Sequence, residues 1–128
     1  MKLLSSILLA IMLTGCGSPG QPINEYKKIT PQEAQKMIET ASSEKLLILD
    51  VRTKEEFDSG HIKDAILLPY DEIKEKAQGV ITDKNQTILV YCRTGRRSAI
   101  AAKDLIELGY TNVIDFGGIV DWTGEIVN

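Results

Sequence analysis

Apolar residues along the chain fall into short unbroken runs separated by stretches of helical spacing. The runs are Leu46 to Leu49, Ala65 to Leu68, Thr87 to Val90 and Val113 to Asp115, and Tyr26 to Ile29, although it holds two lysines, is expected as a short first strand. Runs without alternation predict strands covered on both faces, as in a parallel sheet. The first helical stretch opens at Thr30-Pro31-Gln32-Glu33. Thr30 is its N-cap, Pro31 takes the first helical position and Glu33 closes a capping box. Ala34, Met37, Ile38 and Ala41 give it an apolar face. Thr53 and Glu56 repeat the capping-box spacing and open a short helix ending near Gly60. Tyr70 to Gln78 predicts an amphipathic helix, and the polar turn Asp83-Lys84-Asn85-Gln86 follows. Ser98 to Leu108 predicts another helix, with Gly109 as its C-cap. Strands alternating with helices predict one α/β domain, its parallel sheet covered on both faces.

The first residues do not fit this pattern. Lys2 is a short positive region and Leu3 to Leu13 an apolar one, too short to span a bilayer as a helix. Leu13-Thr14-Gly15-Cys16 resembles the lipobox of bacterial lipoproteins. That resemblance implies cleavage before Cys16 and acylation of its thiol and new amino group. It also implies a lipid anchor in a membrane of the bacterial cell envelope, on the extracytoplasmic side. The alternative is an ordinary secretory signal with Cys16 incidental. Gly17 to about Glu25, with Pro19, Gly20 and Pro22, reads as a polar tether. The expected organisation is a signal peptide over 1–15, lipidated Cys16 and tether over 16–25, and the folded domain over 26–128.

Composition narrows the functional classes. A length of 128 residues and an apolar fraction of 43% suit one small globular domain. The formal net charge is −3 and the basic residues form no stripe, so nothing points to a nucleic-acid partner. The cysteines are two, Cys16 and Cys92. If Cys16 carries lipid, Cys92 has no partner. An unpaired thiol in an oxidising compartment is open to oxidation, and a chain that keeps one there has a use for it.

Cys92 ends the run Thr87 to Val90 and heads the loop Arg93-Thr94-Gly95-Arg96-Arg97-Ser98. The helix that follows begins with N–H groups that lack intrahelical partners, and its N-terminus carries partial positive charge. Anions are favoured there. Arg93, Arg96 and Arg97 add fixed positive charge, and this field favours the thiolate, the nucleophilic form of cysteine. Gly95 supplies positive φ or close backbone approach. A small buried hydrophobe is the plain alternative for a cysteine after a strand, but three arginines and a glycine in five residues fit that poorly. The loop reads as a nucleophile built to meet an anion.

Cys92-Arg93-Thr94-Gly95-Arg96-Arg97-Ser98 resembles the active-site loop of rhodaneses, the thiosulfate and persulfide sulfurtransferases. Other stretches match in the same order: Leu49-Asp50-Val51-Arg52, Glu55-Glu56-Phe57 through Gly60-His61-Ile62, Ala65-Ile66 to Pro69, and Gly117-Gly118-Ile119 to Trp122. The resemblance implies a rhodanese-like α/β fold with a five-stranded, mainly parallel sheet. It implies Cys92 as the catalytic residue, forming a persulfide with sulfur from a small anionic donor such as thiosulfate and passing it to a thiol or cyanide. The N–H groups from Arg93 through Thr94, Gly95, Arg96 and Arg97 to Ser98 would bind the anion. Arg93 and Arg97 would orient its sulfonate end, since guanidinium forks match oxyanions, and Arg96 would face solvent and steer arrival. Asp50 and Arg52 would support the loops structurally. No metal and no organic cofactor are implied.

His61 is the only histidine. Cysteine hydrolases commonly pair their thiol with histidine, but the resemblance implies a packing role for this Gly-His-Ile turn. One histidine without spaced partners makes no metal site. Trp122 is expected in the core, beside the catalytic loop. Two other classes stay open: a phosphatase or arsenate reductase using a loop of the same type, and a non-catalytic or carrier module that presents a persulfide or a binding surface to a protein partner. Phosphatase loops of related cysteine families place arginine six positions after the cysteine; here that position is Ser98, and the arginine is Arg97.

Overall fold

A computed structural model describes residues 25–41 and 46–128. The apolar N-terminal run, Cys16 and the tether up to residue 24 lie outside the described residues. Strands β1 (Lys27–Lys28), β2 (Leu46–Asp50), β4 (Ile66–Leu67), β5 (Thr87–Cys92) and β6 (Val113–Gly118) form one sheet in the order β1-β6-β5-β2-β4. Every pairing in it is parallel. Helices α1 (Pro31–Thr40), α2 (Lys54–Ser59), α3 (Ile73–Val80) and α4 (Arg96–Glu107) make the connections.

The central strands β2, β5 and β6 are largely apolar on both faces because both faces are covered, whereas the edge strand β1 is two exposed lysines. Residues alternate between two cores along each strand. Leu49, Val51, Ile88, Val90 and Cys92 pack with Ile73 and Ala77 of α3 and with Ala101, Ala102 and Leu105 of α4. Ile48, Leu89, Tyr91, Ile114 and Phe116 face the other way, onto Ala34, Met37 and Ile38 of α1 and onto Phe57 of α2. The side chain of Cys92 is therefore committed to the α4 side of the sheet.

Helix ends follow their capping chemistry. Both capping boxes form: Thr30 with Glu33 at α1, and Thr53 with Glu56 at α2. At the far end of α4, Gly109 donates to Ile106 O and Tyr110 to Leu105 O, which are the two bonds of a Schellman motif.

Three features differ from the sequence pattern. Tyr70 to Gln78 is not one helix: a 3₁₀ turn over Tyr70–Glu72 precedes α3, which runs on to Val80. A small antiparallel ribbon, β3 (His61–Ile62) with β7 (Ile126–Val127), closes the edge of the fold; two-residue strands carry no periodicity to detect. Helix α4 begins at Arg96 rather than Ser98, so Arg96 and Arg97 occupy its first turn. Cations at the positive end of a helix are unfavourable on their own.

Candidate active site

The site lies at the carboxyl ends of β2 and β5, where open α/β sheets place theirs. The chain leaves β2 towards α2 on one face and leaves β5 towards α4 on the other, so the two loops part and open a crevice. Cys92 is buried at the head of β5, and its Sγ accepts the Gly95 N–H at 3.0 Å. That contact folds the loop back over the sulfur. Gly95 makes the turn with φ 117°, a left-handed conformation suited to glycine.

The loop rests on the end of β6. Register shifts between Val90 paired with Asp115 and Cys92 paired with Gly118, leaving a bulge in β6. A Cβ on Gly118 would stand 2.1 Å from the Arg93 carbonyl oxygen, so the backbone approach here excludes any side chain. The Val120 N–H donates to that same carbonyl at 3.3 Å, and a 3₁₀ turn over Ile119–Asp121 flanks the loop.

Asp115 braces the arrangement from below. It is 1% exposed, and its Oδ1 accepts from the Ser98 hydroxyl at 2.7 Å and from Gly117 N–H at 2.9 Å. The Ser98 hydroxyl thus faces the sheet interior. Arg93, Thr94 and Arg96 are exposed, and neither arginine forms an ion pair among the described residues.

Arg97 is placed differently. Its fork closes on Glu56 of α2, Nη1 to Oε1 at 2.7 Å and Nη2 to Oε2 at 3.0 Å. Glu56 Oε1 also accepts from the Thr53 N–H and hydroxyl, each at 3.1 Å. The Arg97 hydrogen bonds, ahead of every other influence, hold the Glu56 carboxyl down at about 2. One residue caps α2 and ties the start of α4 across the crevice.

Asp50 and Arg52 form a second, fully internal network. Arg52 Nη2 lies 2.7 Å from Asp50 Oδ2 and also donates to the Gly60 carbonyl at 2.8 Å. The Tyr91 hydroxyl donates to Asp50 Oδ2 at 2.6 Å and accepts from Ile62 N–H at 3.0 Å. Burial, then the bond to Asp50, raises the Tyr91 phenol far above its ordinary range. The network locks the loop after β2 to the turn that carries His61. His61 Nδ1 lies 2.9 Å from the Phe57 carbonyl, and its ring stacks on Phe57 with centroids 3.6 Å apart. Trp122 is half-buried, its ring 5.7 Å from that of Phe116.

Sequence reasoning did not find the inward roles of Glu56 and Asp115. Asp115 had a signal, a lone carboxylate in the apolar stretch Val113 to Phe116. Glu56 had one only as a cap, and its partner is 41 residues away. Among the described residues, no cluster of histidine, cysteine and acidic side chains has the makings of a metal site.

Residues 30–125 match the family described as rhodanese-like domain. The chain is 42% identical over 73 residues to thiosulfate sulfurtransferase PspE of Escherichia coli, covering 57% of this chain and 70% of that protein. It is 35% identical over 101 residues to the putative sulfurtransferase YtwF of Bacillus subtilis, covering 79% and 94%. Against the adenylyltransferase and sulfurtransferase UBA4 of Candida albicans the identity is 31%, and the chain spans only 27% of that protein's length. Among solved structures, a rhodanese-related protein from Thermoplasma volcanium superposes with a TM-score of 0.67 at 30% identity, over 80% of this chain and 98% of that one. With its family match, its five-stranded parallel sheet and its cysteine loop at the head of β5, this chain belongs to the rhodanese-like family.

Proposed function

We propose that the chain is a sulfurtransferase working through a persulfide on Cys92. The thiolate attacks the sulfane sulfur of thiosulfate or a persulfide donor. A bond forms between the two sulfurs, the donor's own S–S bond breaks, and sulfite or a thiolate leaves with the electron pair. A thiol or cyanide then attacks the outer sulfur and restores the Cys92 thiolate. The observation that carries this is the Cys92 Sγ held 3.0 Å from the Gly95 N–H at the head of α4. An N–H aimed at the sulfur is preorganised for the negative charge that persists on the persulfide. The exposed Arg93 and Arg96 supply the attraction for an anionic donor.

Incubation with thiosulfate should add one sulfur atom to the peptide containing Cys92, removable by cyanide. An unchanged mass would refute the mechanism. A carrier role uses the same persulfide, and 38% identity over 85 residues to the putative sulfur carrier protein YrkF of Bacillus subtilis supports keeping it as the second reading. Transfer to a protein thiol rather than to cyanide would favour it. The lipobox-like Leu13-Thr14-Gly15-Cys16 supports a further part of the proposal, that Cys16 is lipidated and anchors the domain to a cell-envelope membrane.

A further inference from the structure

Three arginines follow Cys92 within five residues, and only one of them carries a matched counter-charge. Arg97 gives both ends of its fork to Glu56, whereas Arg93 and Arg96 stand exposed without an ion pair among the described residues. The first turn of α4 contains no acidic residue and its N-cap, Gly95, offers no side chain. Two cations therefore sit at the positive end of a helix, where charge of the opposite sign belongs. Glu56 supplies that charge from another element. It comes from α2, the helix that leaves the opposite side of the crevice, and it is anchored there by the Thr53 capping box.

We propose that Glu56 is a specificity-determining residue: by occupying the Arg97 fork it withdraws Arg97 from anion binding and sets the site's positive charge at the level supplied by Arg93 and Arg96. The inference rests on the sulfurtransferase reading for its substrate, but its physical content is a field around Cys92 that exists whatever the reaction. The Glu56 carboxylate takes the end-on pair, Nη1 and Nη2, which leaves the guanidinium only its Nε side for a second anion. The charge of Arg97 is also largely cancelled for any anion approaching from solvent. Selection among donors then falls to two solvent-facing arginines. Such a site tolerates donors that differ in size and in the number of their negative charges.

Glu56→Gln separates the electrostatic role from the structural one. Glutamine keeps the capping box and one acceptor oxygen for Arg97, and loses the charge together with the acceptor for Arg97 Nη2. The full chain is alkylated with iodoacetate, an anion, and with iodoacetamide, its neutral counterpart, and each rate is read on the Cys92 peptide by mass spectrometry. The ratio of the two rates should rise about three- to tenfold in Glu56→Gln, the order expected of one unit charge at the edge of a screened site. KM for thiosulfate should fall with kcat little changed. Arg97→Gln should move the ratio the opposite way, because the Glu56 charge is then unopposed, and the double variant should return it close to wild type. A ratio that stays constant in both single variants, or a KM that rises in Glu56→Gln, overturns the proposal. The second result would mean that Glu56 holds Arg97 as a substrate ligand. Alkylation needs no sulfur transfer, so a chain that fails to form a persulfide but shows the expected ratios would refute the reaction and keep the role of Glu56.

Discussion

A serine at position 92 would keep the size and the Gly95 contact of the cysteine while removing an accessible anion and the sulfur that forms the persulfide. Cys92→Ser should lose turnover to background and retain the cooperative unfolding of wild type; measurable thiosulfate–cyanide activity in it would show that another group carries sulfur. Glu56 makes a second residue-level prediction, through acid. Its carboxyl is held at about 2 against an ordinary 4.5, first by the Arg97 hydrogen bonds. A carboxylate whose folded value is depressed contributes stability that is complete above the unfolded value and disappears as pH falls through the folded one. The thermal midpoint of wild type should therefore exceed that of Glu56→Gln at neutral pH. The gap should begin to narrow near pH 4.5 and close near pH 2. A gap independent of pH would mean that the ion pair contributes nothing and that glutamine perturbs packing instead.

Between elements, the decisive contacts are made where the catalytic loop meets β6. Asp115 Oδ1 is the acceptor for two donors, the buried Ser98 Oγ and the partly buried Gly117 N. Asp115→Ala leaves Gly117 N without its acceptor and the Ser98 hydroxyl to the Gly95 carbonyl at 3.1 Å, at about 1–3 kcal/mol for a group left unpaired, whereas Asp115→Asn keeps the acceptor oxygen. Denaturant unfolding should rank them wild type, Asn, Ala, with activity following the same order; equal stability of the two variants would remove the brace. Gly118→Ala should also abolish activity, because its methyl would overlap the Arg93 carbonyl. Four strands of the main sheet were legible from their apolar stretches and both capping boxes from their spacing, whereas β1 is two exposed lysines between Tyr26 and Ile29. The loop chemistry was legible because Cys92, Gly95 and the arginines are contiguous. Contacts between distant residues were not: Arg97 reads as a free cation beside a cysteine until α2 brings Glu56 to it. Nor did spacing show that Ser98, counted among the anion-binding residues, turns its hydroxyl inward to Asp115. Loop length carries a further expectation. With arginine five positions after Cys92 rather than six, the loop resembles the shorter rhodanese type, and its N–H groups are expected to leave a phosphate bonded to the thiol short of donors. Each lost donor to such an oxyanion costs about 2.7–4 kcal/mol. Aryl phosphate hydrolysis should be undetectable beside sulfur transfer, and comparable rates would overturn the assigned chemistry.

At the scale of the whole molecule, the site and the proposed anchor belong to separate parts of the chain. The Cys92 loop is held by β5, α4, β6 and the turn after it, and Cys92 shares its core with residues of β2, α3 and α4, all inside the family match over residues 30–125. Cys16 precedes that match, so attachment and chemistry should be separable by one substitution. Lipidation of the thiol and the new amino group would give Cys16 more than one acyl chain. A single chain of myristoyl length holds a protein only marginally, whereas two or more hold it firmly. Wild type should therefore sediment with membranes and come off with detergent but not with high salt, which would release a protein held only by charge. Cys16→Ala should lose the acyl groups, as read by mass, and should be either uncleaved or released. Purified in detergent, both forms should transfer sulfur from thiosulfate to cyanide at the same rate, because no residue of the loop depends on position 16. A wild type recovered in the soluble fraction without detergent ends the anchoring proposal. A variant that is soluble but inactive would instead show that the N-terminal segment takes part in the site.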